Sequence, residues 1–198
     1  MYNLPENYEH RLNPQHHDDR SFTDGWQDYV YEKARKIANE NNYSSILDVG
    51  CGSGFKLIKY FNDKNTFGLE LEPSLSYLKK TYPNKRWQES KLNQQLQESF
   101  DIVICADVIE HIPSVDVLTE FLSKIQCKYL IISTPDRGLL KLRYNGRGFN
   151  GPPVNPCHCR EWTREEFVSY LANFRIDVTE HLACKKECSQ TVVSRRML

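Results

Sequence analysis

No apolar run in the chain approaches the roughly 20 residues that a bilayer-spanning helix needs. A membrane-spanning helix is therefore not expected. Net charge is missing as well, since 26 Lys and Arg balance 26 Asp and Glu. A global field for nucleic acid or for an anionic membrane surface is not expected either. The opening Met1-Tyr2-Asn3-Leu4-Pro5-Glu6 carries no basic-then-apolar leader. Seven cysteines is an odd number and does not suit a disulfide framework. Together these features predict a cytoplasmic protein with mostly reduced thiols. No segment repeats internally. A length of 198 residues suits one domain spanning 1–198, with a core of its own.

Residues 1–24 are polar, with His10, His16, His17, Asp18 and Asp19, and predict an N-terminal arm or lid. From Trp26 the apolar positions Trp26, Tyr29, Val30, Ala34, Ile37 and Ala38 recur at helical spacing. Strands are predicted over 45–49, 66–71, 86–88, 100–105 and 129–133, with two more near 175–180 and 190–194. Helices are predicted over 55–61, after Ser74 as a cap, over 114–125 and after Thr163 as a cap. The helix over 114–125 would turn Val117, Leu118, Phe121 and Leu122 inward. Strand and helix alternate, which argues a mostly parallel sheet with helices on both faces. Ligands of such sheets bind beyond the carboxyl ends of the strands.

The glycine turn sits at such an end. Ile46-Leu47-Asp48-Val49 breaks into Gly50-Cys51-Gly52-Ser53-Gly54, and Glu70 follows 20 positions after Gly50. The pattern is G-x-G-x-G; the dinucleotide fingerprint would need a glycine where Phe55 stands. The layout lets backbone approach a nucleotide-like ligand and sets an acid beside its ribose hydroxyls. A carboxylate can accept two hydroxyl hydrogen bonds at once.

The stretches 47–54, Gly68-Leu69-Glu70-Leu71-Glu72-Pro73 and 100–112 together resemble the class I S-adenosylmethionine-dependent methyltransferases. The resemblance implies a Rossmann-like α/β fold, with a seven-stranded, mostly parallel sheet whose last strand is antiparallel. It implies S-adenosylmethionine as cofactor, with Glu70 on the ribose hydroxyls and Gly50 and Gly52 giving room to the methionine part. Asp48 would orient the turn, and Glu89 stands where the family often has a polar residue near the adenine. Cys51 in the turn and Asp107 at the end of the fourth strand complete the expected cofactor set.

Two further clusters point to the acceptor. Asp107-x-x-Glu110-His111 shares one face if it opens a helical turn. Asn155-Pro156-Cys157-His158-Cys159-Arg160-Glu161-Trp162-Thr163 closes a long connection, residues 135–162, placed to cover an active site. Similar stretches occur in small-molecule and glycan methyltransferases. They also occur in small-RNA 2′-O-methyltransferases, whose carboxylates and histidines form a divalent-metal site. Asp107 stands here where those RNA enzymes have a glutamate. Glu110, His111 and His158 are thus a candidate set for Mg²⁺ or Mn²⁺. In the other reading His111 shapes the cofactor pocket and His158 is a metal-free base, as a neutral imidazole suits near pH 7. Cys157-x-Cys159 and Cys184-x-x-x-Cys188 offer four thiols, but C-x-C is not a knuckle spacing, which favours ordinary thiols over zinc.

Residues 137–160 hold Arg137, Lys141, Arg143, Arg147 and Arg160 and no Asp or Glu. That local excess is either a solvated loop or a seat for an anionic small-molecule acceptor. The expected activity is methyl transfer to a hydroxyl of a phosphorylated, nucleotide-linked or surface-glycan sugar. The alternatives are a metal-assisted RNA 2′-O-methyltransferase and a non-catalytic cofactor-binding partner subunit. The oligomeric state is left open.

Overall fold

The computed structural model describes residues 2–16, 18, 20 and 26–196; His17, Asp19 and residues 21–24 of the expected arm lie outside them. The elements follow in the order α1 Asp28–Glu40, β1 Ser45–Val49, α2 Phe55–Phe61, β2 Asn65–Glu70, α3 Ser74–Thr81, β3 Arg86–Glu89 and β4 Phe100–Ala106. After a 3₁₀ turn at Ile109–His111 come α4 Val115–Lys124, β5 Cys127–Pro135, α5 Arg137–Arg143, α6 Arg164–Ala172, β6 Glu180–Cys184 and β7 Ser189–Arg195. One seven-stranded sheet has the order β3-β2-β1-β4-β5-β7-β6. Strands β1 to β5 pair in parallel, and β7 runs antiparallel between β5 and β6. This is the expected Rossmann-like sheet with its last strand reversed.

Alternation along the central strands sends side chains into two cores. Leu47, Leu69, Val103 and Ile132 face α4 and α6, where they meet Leu118, Leu122, Phe167 and Tyr170. Ile46, Ile102, Ile104 and Ile131 face α1, α2 and α3, where they meet Ala34, Ile37, Leu57 and Leu78. Burial on both faces explains why β4 reads as an unbroken apolar run. No helix among the described residues is long and apolar enough to cross a membrane. None of the seven cysteines forms a disulfide.

Several sequence expectations need correction. Trp26 lies before α1 and is 41 % exposed; the buried stripe begins at Val30. The α1 start is set by Gln27, whose left-handed backbone (φ 65°) turns the chain into the helix. Ser74 is not a cap but the first residue of α3; Glu72 Oε2 accepts the Ser76 N–H instead. Val117 is 46 % exposed, and Val115 and Thr119 are buried in its place. Residues 175–179, predicted as strand, are not one. Ile176 packs into the core from a loop closed on α6, and ladder pairing begins only at Glu180.

The connection 135–162 is not all loop. Asp136 accepts the N–H groups of Gly138 and Leu139 and so caps α5, a start signal that the neighbouring glycine and basic residues obscured. Thr163 caps α6 as predicted, and Glu166 completes a reciprocal cap that the sequence reading does not include.

Candidate active site

The carboxyl ends of β1, β2, β4 and β5 open onto one cavity of about 760 Å³. One half is built from the glycine turn. Gly50 has φ 75°, and a Cβ there would lie 2.6 Å from Val108 Cγ2, so only glycine lets the turn lie against the end of β4. Gly52 (φ 54°) donates its N–H to Glu70 Oε2 at 2.6 Å, and Leu71 N–H donates to Oε1 at 2.8 Å. The carboxylate of Glu70 is thus aimed by the backbone.

Asp48 is fully buried below the turn, where Oδ2 accepts the Tyr31 hydroxyl at 2.9 Å. Burial, with Asp48 second, holds the Tyr31 phenol well above its usual range, so it stays a donor. Tyr31 lines the cavity, whereas Asp48 does not. Cys51 and Asp107 also line it. Asp107 has a left-handed backbone (φ 51°), and its Oδ1 accepts the Ser133 hydroxyl at 2.6 Å. Burial raises its carboxyl. Glu89 pairs in register with Glu70 but is exposed, forms an ion pair with Lys91 at 3.2 Å and lies off the cavity wall.

The other half gathers Glu110, His111 and His158. The turn is 3₁₀ rather than α-helical. Glu110 is buried; its Oε2 accepts the Thr134 hydroxyl at 3.0 Å and its Oε1 has no hydrogen-bond partner. Burial first, and Asp107 second, push its carboxyl well above the usual range. His111 Nδ1 meets the Cys157 carbonyl at 2.9 Å, which makes Nδ1 the donor, and Nε2 lies 3.8 Å from Glu110 Oε1. The His111 and His158 rings meet edge to face, with centroids 4.7 Å apart. One ligand atom from each of the three residues falls within 4.8 Å of the others, and no other such cluster occurs among the described residues. Cys157, Cys159, Cys184 and Cys188 therefore form no four-thiol centre.

His158 itself is held from both sides. Nδ1 lies 2.7 Å from Glu161 Oε1, and Nε2 lies 2.9 Å from Asn155 Nδ2. The N-terminal arm braces this stretch: Tyr8 OH accepts the Glu161 N–H, and Arg11 donates to the carbonyls of Pro153, Asn155 and His158. Pro14, Gln15 and His16 reach the cavity wall. Nothing in the polar sequence of the arm signalled this brace; the sequence marked Asn155 and Glu161 as part of the cover stretch but not their bonds to His158.

The basic residues divide. Arg137 is buried, paired with Glu166, bonded to the Phe149 carbonyl and flanked by the Tyr8 and Phe149 rings. Arg160 is buried too, on the carbonyls of Ile112 and Pro113. Lys141 lies over the Phe149 ring, and Arg147 is exposed. Of the five, Arg143 alone lines the cavity.

Residues 15–181 match the methyltransferase domain family. A ubiquinone biosynthesis O-methyltransferase of Rickettsia bellii is 29 % identical over 118 residues, covering 55 % of this chain and 49 % of the relative. The match thus spans about half the length of that curated relative. Among solved structures, the magnesium protoporphyrin IX methyltransferase of Synechocystis is 17 % identical with a TM-score of 0.66, covering 86 % of this chain and 83 % of the other. A small RNA methyltransferase is 24 % identical with a TM-score of 0.66, covering 94 % of this chain and 27 % of the other. Both likenesses are of fold. With the family matched over most of its length, the chain belongs to the class I S-adenosylmethionine-dependent methyltransferases.

Proposed function

We propose that the chain methylates a hydroxyl of a small acceptor bearing negative charge, such as a phosphorylated, nucleotide-linked or surface-glycan sugar. The observation that carries this reading is the pairing, across one cavity, of the Glu70–Gly52 turn with a buried His158. When bound, S-adenosylmethionine supplies an electrophilic sulfonium methyl group. Glu70 binds the ribose, Gly50 and Gly52 let backbone approach, and Tyr31 and Asp107 close the wall behind them. His158 would take the acceptor's O–H proton as the acceptor oxygen takes up that methyl group, and would later release the proton to solvent. Alignment and exclusion of water supply much of the rate.

A direct test incubates the protein and cofactor with fractionated phosphosugars and nucleotide sugars and follows the mass gain of one methylene. No gain in any anionic fraction, with gain in a neutral one, would contradict the charge assignment. Arg143→Ala should raise the acceptor KM about tenfold, as loss of a charge-assisted hydrogen bond implies. Cofactor affinity should stay at wild type, and Arg147→Ala, off the cavity, should change neither. Unchanged KM in Arg143→Ala would reduce that arginine to a solvated charge.

The convergence of Glu110, His111 and His158 favours a second reading, a divalent cation. The donor types suit one. A chelator distinguishes this reading from the metal-free base.

A further inference from the structure

We propose that Glu161 and Asn155 are positioning residues that lock His158 in its Nδ1–H tautomer, making Nε2 the atom that takes the acceptor's proton. The inference rests on the reading of His158 as general base and extends it to the groups that prepare that base.

The argument begins with the amide. Cys157 N–H donates to Asn155 Oδ1 at 2.9 Å, which fixes the carbonyl side of Asn155. Nδ2 must then be the atom facing His158 Nε2 at 2.9 Å, and an amide NH₂ can only donate. Nε2 therefore carries the lone pair, and the ring hydrogen sits on Nδ1. There it meets Glu161 Oε1 at 2.7 Å, a charge-assisted distance. The opposite tautomer would set two N–H groups against each other at Nε2 and two lone pairs against each other at Nδ1. One arrangement satisfies every partner, and it is the one a base needs.

The surroundings hold that arrangement in place. Glu161 is 4 % exposed and His158 7 %, so water does not compete for either bond. Tyr8 anchors the Glu161 backbone, and Arg11 ties down the carbonyls of Asn155 and His158. Asn155 itself lines the cavity. A bound hydroxyl replaces the Asn155 N–H on Nε2, its O–H bond breaks, and the proton forms the new Nε2–H bond. The displaced Asn155 N–H then lies beside the acceptor oxygen. Glu161 stabilises the imidazolium and takes no proton.

The test is an imidazole ¹H–¹⁵N correlation spectrum of the full-length chain at a pH where the ring is neutral, with His158 assigned by its loss in His158→Ala. The wild type should show the Nδ1–H tautomer. Glu161→Gln, beside an Asn155 that still donates to Nε2, should keep that tautomer while losing the carboxylate charge that faces Nδ1–H. It should also lose about 10²-fold in turnover on the metabolite fraction that the wild type methylates, the scale of a misaligned group. Cofactor affinity should not change, and adding Glu161→Gln to His158→Ala should cost nothing more. An Nε2–H tautomer in the wild type overturns the proposal, as does wild-type turnover in Glu161→Gln. Full turnover in His158→Ala instead overturns the general-base reading itself. Should Glu161→Gln fail to fold, the wild-type spectrum decides alone.

Discussion

Replacing His158 by alanine should lower turnover about 10²–10⁴-fold, the usual contribution of a positioned general base, and leave cofactor affinity unchanged. The side chain is buried and lines the cavity, and its ring is engaged at both nitrogens. On the proposed reading it serves the acceptor and not the cofactor. Rapid-quench turnover beside calorimetric cofactor titration separates the two roles. Full turnover in the variant would leave alignment alone to explain the rate. A chelator separates the base from the cation at the same site. Activity lost in chelator and restored by Mg²⁺ or Mn²⁺ would mean that Glu110, His111 and His158 share an ion. Activity retained in chelator leaves the base.

Arg137→Met should destabilise the fold by about 3–5 kcal/mol, the cost of breaking a buried ion pair by removing one partner. The guanidinium side chain is 2 % exposed and Glu166 only 18 %, so solvent screens the pair little. The same arginine bonds the Phe149 carbonyl and lies against the Tyr8 and Phe149 rings, joining the arm to the start of α6. Urea unfolding of wild type and variant measures the difference. A loss below about 1 kcal/mol, the level of an exposed pair, would contradict this role. The cavity-lining Arg143, by contrast, should leave stability near wild type when changed to alanine.

The parallel sheet was legible because its strands are short apolar runs that end in recognisable turns. The turn at 50–54 and the acid at Glu70 could be read because backbone approach and a strand-end carboxylate leave a local spacing. His111 and His158 were readable as candidates, but their meeting was not, since 46 residues separate Cys157 from His111 and only the fold brings them together. Charge alone misled at Arg137 and Arg160. Sequence shows a basic excess but not the Glu166 carboxylate or the backbone carbonyls that absorb it. Tyr31 was not among the helical positions read from the sequence, and its hydroxyl finds Asp48 only through the packing of α1 onto the sheet. The arm carries little periodicity; its described residues Glu9, Arg11 and Gln15 are tied by backbone hydrogen bonds to the carbonyls of Asn150, Cys159 and Pro156, which no pattern along the chain records.

The account divides one cavity into a cofactor half, held by Glu70, and an acceptor half, served by His158. Calorimetric titration of S-adenosylmethionine into the wild type, Glu70→Ala and His158→Ala tests that division most directly. Glu70→Ala removes a charged hydrogen-bond acceptor for two hydroxyls, so its affinity should fall at least about tenfold, while His158→Ala should bind as the wild type does. Wild-type affinity in Glu70→Ala, or an equal loss in both variants, would contradict the account.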